Sequence, residues 1–142
     1  MLYYCISTIV QFWKGGDFVA WSFDSKSPVS LQIANILRLD IIRGKYKAGE
    51  PFPTVRQLAF EASVNPNTMQ KSLSMLENEG LLITQGTSGR IVTDDSSIID
   101  GILEKMQEEY IKRVISEGIN LGLSKEKFNY LINEYYERKD NV

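Results

Sequence analysis

Between Ser27 and Thr93 the spacing of apolar residues changes period once, at Gly80, and that switch leaves few folds open to the segment. Ahead of it, Ile33, Ile36, Leu37 and Ile41 recur at three- and four-residue intervals, which predicts a helix over 30–42. Ser27 and Pro28 supply its start and Gly44 its stop. Residues 47–53 read as a turn-rich link, because Pro51 and Pro53 forbid continued helix. Thr54 and Gln57 carry the pattern of a capping box, opening a short second helix with Val55, Leu58, Ala59 and Ala62 inward. After a brief turn at Ser63 and Val64, Asn65 is a good N-cap and Pro66 suits the first helical position, where its missing N–H costs nothing. The third helix should run to about Glu79, burying Met69, Leu73 and Leu76, and end at Gly80. Beyond Gly80 two β-prone runs, 81–84 and 90–93, flank a Gly-containing loop and read as a hairpin. Three helices followed by a hairpin is the order of a winged helix.

The rest of the chain is helical in pattern. Ile98, Ile99, Ile102, Leu103, Met106, Tyr110, Ile111, Val114 and Ile115 form a broad apolar stripe, with Glu104, Lys105, Glu108, Glu109, Lys112 and Arg113 on the other side. Gly122 breaks this helix, Ser124 caps the next, and Phe128, Leu131, Ile132 and Tyr135 mark its apolar face. Tyr130, Tyr135 and Tyr136 fit either a core or an interface. The expected fold class is therefore mainly α with a small β-hairpin: a winged helix-turn-helix plus a two-helix C-terminal dimerisation tail. The expected organisation is an N-terminal extension over 1–24, the winged unit over 25–94 and the tail over 95–142. Residues 1–18 have two readings: an ordinary arm, or an over-extended reading frame whose true start is Val19. The second arises because Lys14-Gly15-Gly16 can be encoded by a bacterial ribosome-binding sequence.

Composition narrows the chemistry. The chain has no histidine and a single cysteine, Cys5, which removes the usual general base, the commonest zinc ligand and any intrachain disulfide. No Gly-rich phosphate loop is present. No enzyme activity, cofactor or metal is expected. No stretch is apolar enough to span a bilayer and no signal-peptide layout opens the chain, so no membrane partner and a cytoplasmic location are the expectations. The formal net charge of −2 argues against sequence-blind nucleic-acid binding. Its distribution is uneven: +2 over residues 25–94 and −3 over 95–142, so phosphates are better met by the middle than by the tail.

Five pieces in order carry a family resemblance: 27–33 (SPVSLQI), 49–59 (GEPFPTVRQLA), 64–71 (VNPNTMQK), 76–81 (LENEGL) and 89–92 (GRIV). Together they resemble the GntR family of bacterial regulators, over about residues 25–94. Fewer than fifty residues follow, a layout similar to the short-tailed YtrA subfamily. The resemblance implies dimerisation through the two tail helices and control of neighbouring transporter genes. On the residues alone, a tail this short cannot enclose a metabolite pocket, so no effector is named. Its stripe is wider than a monomer needs, which favours pairing with a second copy over packing back on the winged helix.

In a helix-turn-helix the second helix enters the major groove and its N-terminal residues meet base edges. Here that places Asn65, Asn67, Thr68, Gln70 and Lys71 against DNA. Amides pair bidentately with adenine and a Thr methyl touches thymine. The bland alternative is a cap and a solvated face. Arg56, a cation in a helix's first turn, gains most from a phosphate. Arg90, just past the hairpin tip, either reaches the DNA backbone or the minor groove, or is purely structural. One departure is Pro66, where many family members carry a basic residue; recognition should lean more on Asn and Gln. The expectation is a homodimeric repressor on an inverted repeat in double-stranded DNA, and the alternative is a winged-helix protein-protein adaptor.

Overall fold

A computed structural model describes residues 21–140; the proposed start at Val19 lies outside them. The elements are α1 (Val29–Ile42), α2 (Val55–Glu61), α3 (Pro66–Asn78), β1 (Leu82–Thr84), β2 (Arg90–Val92), α4 (Ser96–Asn120) and α5 (Lys125–Asp140). The order and types are those the sequence predicts, mostly helix with one two-stranded antiparallel sheet. The chain forms two compact units, one ending at Ile98 and the other beginning at Ile99.

In the first unit α3 is the centre, packing on α1, α2 and β1. Met69, Leu73 and Leu76 are fully buried in it, and Ile33, Leu37 and Ile41 of α1, Leu58 and Ala59 of α2 and Ala62 at the C-cap of α2 are buried with them. Leu81, Leu82 and Val92 close the core from the hairpin. Burial of this size, at roughly 25 cal/mol per Å² of apolar surface, is what holds helices too short to be stable alone. Ile36 and Val55, expected inward, are only half-buried.

Local chemistry sets the helix ends. The Thr54 capping box forms in full: its hydroxyl accepts from Gln57 N and the Gln57 side chain accepts from Thr54 N at 2.9 Å. Asn65 caps α3, its Oδ1 accepting from Asn67 N at 2.8 Å, with Pro66 at the first position. Ser27 does not cap α1; Pro28 stands at that N-cap without a side-chain bond. Instead Gln32 reaches back, donating to Ser27 O at 2.8 Å and Asp24 O at 3.0 Å. Gly80 terminates α3 at φ +80°, with Leu81 N donating to Leu76 O at 3.0 Å. The α2 end uses the same bond pattern, Val64 N to Ala59 O at 3.0 Å, but its left-handed residue is Ser63 at φ +52°. A side chain there costs backbone strain that glycine avoids.

The link at 47–53 is more than a turn. Gly49 N donates to Val92 O at 2.9 Å, Val92 N to Glu50 O at 3.0 Å and Phe52 N to Arg90 O at 2.8 Å. Residues 49–52 thus line the second edge of β2, and Phe52 is buried against the Tyr46 ring at 4.7 Å between centroids. Prolines at 51 and 53 suit this edge because only Gly49 and Phe52 need to donate.

The second unit is a helical pair. Gly118 is the single buried residue of α4 and α5 among the described residues, and a Cβ there would meet Leu123 at 3.4 Å and Phe128 at 3.5 Å. Gly122, at φ +76°, ends α4, and Ser124 Oγ accepts from Lys127 N at 3.2 Å to start α5. No helix among the described residues is long and apolar enough to cross a membrane.

Candidate nucleic-acid interface

The two faces of α3 differ in kind. Met69, Ser72, Leu73 and Leu76 are buried, whereas Asn65, Pro66, Asn67, Gln70 and Lys71 are exposed and Thr68 is half-buried. Ser72 extends the inward face with a polar lock: its hydroxyl lies 2.8 Å from Ser30 O on α1 and 3.0 Å from Thr68 O. A second tie joins the same helices, since the Arg38 guanidinium of α1 donates through Nε to Glu79 Oε2 at 2.7 Å. Rigid backing on the inner side fixes where the outer side chains point. That is what base-edge recognition requires of a helix.

The outer face is made of donors and acceptors largely unspent within the fold. Asn65 uses one oxygen in capping, and Gln70 makes one long contact, 3.3 Å, to Ser74 Oγ. Arg56 is exposed in the first turn of α2, and no salt bridge among the described residues involves Arg56 or Lys71. Neither α2 nor α3 has an acidic residue in its first turn. The positive helix ends are therefore unopposed locally, the arrangement that favours an anion.

Arg90 stands apart. Its side chain is only 16% exposed, and its Nε donates to Glu77 Oε1 at 2.8 Å. The Thr84 hydroxyl on the opposite strand also donates to Glu77 Oε1. Glu77 thus ties both strands of the wing to α3, and Arg90 positions the hairpin. Sequence reasoning missed Glu77; its signal was the pairing of an acid late in α3 with a base just beyond the wing tip. Burial pushes the Glu77 carboxyl up, but the Thr84 and Arg90 hydrogen bonds and the Arg90 charge outweigh it and hold it below the usual range.

A carboxyl depressed by folding stabilises fully above its unfolded pKa, about 4.3 for glutamate, and loses that contribution as pH falls through the folded value. Glu77→Gln should therefore be less stable than wild type in urea melts at pH 7. The gap should narrow steadily as the pH is taken below that of a free carboxyl. A gap that does not vary with pH would show that the tether does not depend on charge.

The model of "Bacterial regulatory proteins, gntR family" matches residues 29–92, which span α1 to β2. The chain is 31% identical over 105 residues to the uncharacterized HTH-type transcriptional regulator YhcF of Bacillus subtilis, covering 74% of this chain and 87% of that protein. It is 29% identical over 112 residues to the HTH-type transcriptional repressor YtrA of Bacillus subtilis, covering 78% and 85%. Its fold matches a GntR family transcriptional regulator from Listeria monocytogenes with a TM-score of 0.74 at 30% identity, covering 79% of this chain and 98% of that one. With the winged helix, the polar outer face of α3 and relatives matched over nearly their whole length, the chain belongs to the GntR family and is a DNA-binding transcription regulator, not an enzyme.

Proposed function

We propose that the protein acts as a homodimeric repressor on an inverted repeat, reading bases with the first two turns of α3. The observation that carries this reading is the division of α3 into a fully buried apolar face and an exposed face of Asn65, Asn67, Gln70 and Lys71. Gln70 and Asn67 serve as base readers, Thr68 as a methyl contact, and Arg56 and Lys71 as phosphate contacts. Arg90 holds the wing beside the duplex through Glu77. Repression, by occluding polymerase, is supported by the similarity to a repressor.

Residues 95–142 are the dimerisation tail in this reading. A helical pair with one buried residue among those described has little core of its own, and its apolar stripe calls for a partner surface. Half-sites about 10 bp apart, roughly 34 Å, match two-fold symmetry on one face of the duplex. Footprinting on the DNA that flanks the gene tests the reading and identifies the regulated genes. The family resemblance directs attention first to a neighbouring transporter operon.

Two substitutions separate the roles. Arg56→Ala should weaken binding to every duplex and reduce the slope of log K against log salt by about 1. Gln70→Ala should instead cost about 1–3 kcal/mol of discrimination at one base pair. Titrations on matched and mismatched duplexes measure both. An unchanged sequence preference in Gln70→Ala would remove Gln70 from the base-reading set.

A further inference from the structure

Phe60 is left over by the assignments above. Its ring is 87% exposed, more than any other large apolar side chain among the described residues, although its neighbours Leu58 and Ala59 are buried. It follows Arg56 by four residues, so both lie on one face of α2 about one turn apart. With Gln57, Ala59, Val64 and Pro66 they line an open depression of about 510 Å³. The depression joins the outer face of α2 to the first turn of α3, where the DNA contacts are assigned.

Its chemistry is a cation at one edge and an apolar floor. No acidic side chain lines the depression, so an anion approaching it meets Arg56 and a first turn of α3 that holds no carboxylate. A nucleic-acid strand presents this pairing, a phosphate followed by the C–H face of a sugar.

We propose that Phe60, with Val64 and Pro66, packs on the deoxyribose next to the phosphate that Arg56 holds, supplying a non-ionic contact to the operator. The proposal rests on the DNA-binding reading. It also gives Pro66 a role: where a basic residue would add a salt-dependent contact, the proline extends an apolar surface that salt does not screen.

The test uses the full chain and a duplex selected from random sequence by the wild-type protein. Phe60→Ala should lower affinity about tenfold at every salt concentration and leave the slope of log K against log salt unchanged. Its thermal melt should match wild type, because the ring is exposed. Arg56→Ala, in contrast, should flatten that slope. Wild-type affinity in Phe60→Ala would overturn the proposal and assign the patch to a protein partner. A changed slope would overturn it as well, by showing that the residue acts through the ionic contacts. Failure of the wild type to select any duplex would overturn both this proposal and the reading beneath it, and is a distinct result.

Discussion

Replacing Ile111 and Ile115 together by lysine should convert the protein to a monomer and lower its operator affinity by roughly 10²–10⁴-fold, the range that linkage of two binding modules provides. Ile111, Ile115 and Ile119 are spaced by four residues on α4 and are 47%, 43% and 66% exposed. They form one apolar line along the helix. Inside the unit Gly118 is set against Leu123 and Phe128, and Ile111 stands two turns before it on the same helix, so an unchanged circular dichroism spectrum is the control that the helical pair survives the double substitution. Charges on the exposed line make its burial against a second copy costly. Sedimentation equilibrium reads the assembly, and a gel shift on the same samples reads the affinity. A double variant that stays dimeric would place the interface elsewhere and sink the assignment of residues 95–142.

Leu73→Ala carries the largest expected loss of stability. Leu73 is fully buried at the middle of α3, where α1 and α2 converge. Removing its branched end costs the transfer energy of the lost atoms plus the cavity left behind, together about 2–5 kcal/mol. A domain of this kind has only about 5–15 kcal/mol in total. At about 4–8 °C per kcal/mol for a unit of this size, melting should fall by at least about 8 °C. Gln70→Ala, one turn away on the outer face, should stay within about 0.5 kcal/mol of wild type. Urea titration of both variants gives the comparison. Equal midpoints would contradict the two-faced description of α3 on which base reading depends.

Much of the winged unit was legible because its signals are local. A capping box needs only Thr54 and Gln57, and an N-cap followed by proline needs only Asn65 and Pro66. Each was read from neighbours in sequence, and each forms. Local rules failed where a residue's role depends on a distant element. Residues 49–52 look like a link, yet β2 returns beside them forty residues later and gives their backbone its hydrogen-bond partners. Asp40 was unremarked, but it is 2% exposed and accepts from Lys45 Nζ at 2.7 Å after the chain turns back at Gly44. The candidate site divides the same way. Exposure of Asn67, Gln70 and Lys71 follows from helical period alone, whereas the engagement of Arg90 by Glu77 required α3 and the wing to meet.

By itself the order of residues determined where helices begin and end and which side of each is apolar, because caps, glycines and a repeat near 3.6 act over a few positions. Tertiary structure alone decided which charges are spent and which stay available. Arg38 and Arg90 are drawn into pairs with Glu79 and Glu77 by the packing of α3. Arg56 and Phe60 are left facing outward on α2. The reason is geometric: an ion pair or an exposed ring depends on which elements the shared core brings within a few ångströms, and that core is assembled from positions far apart in the chain.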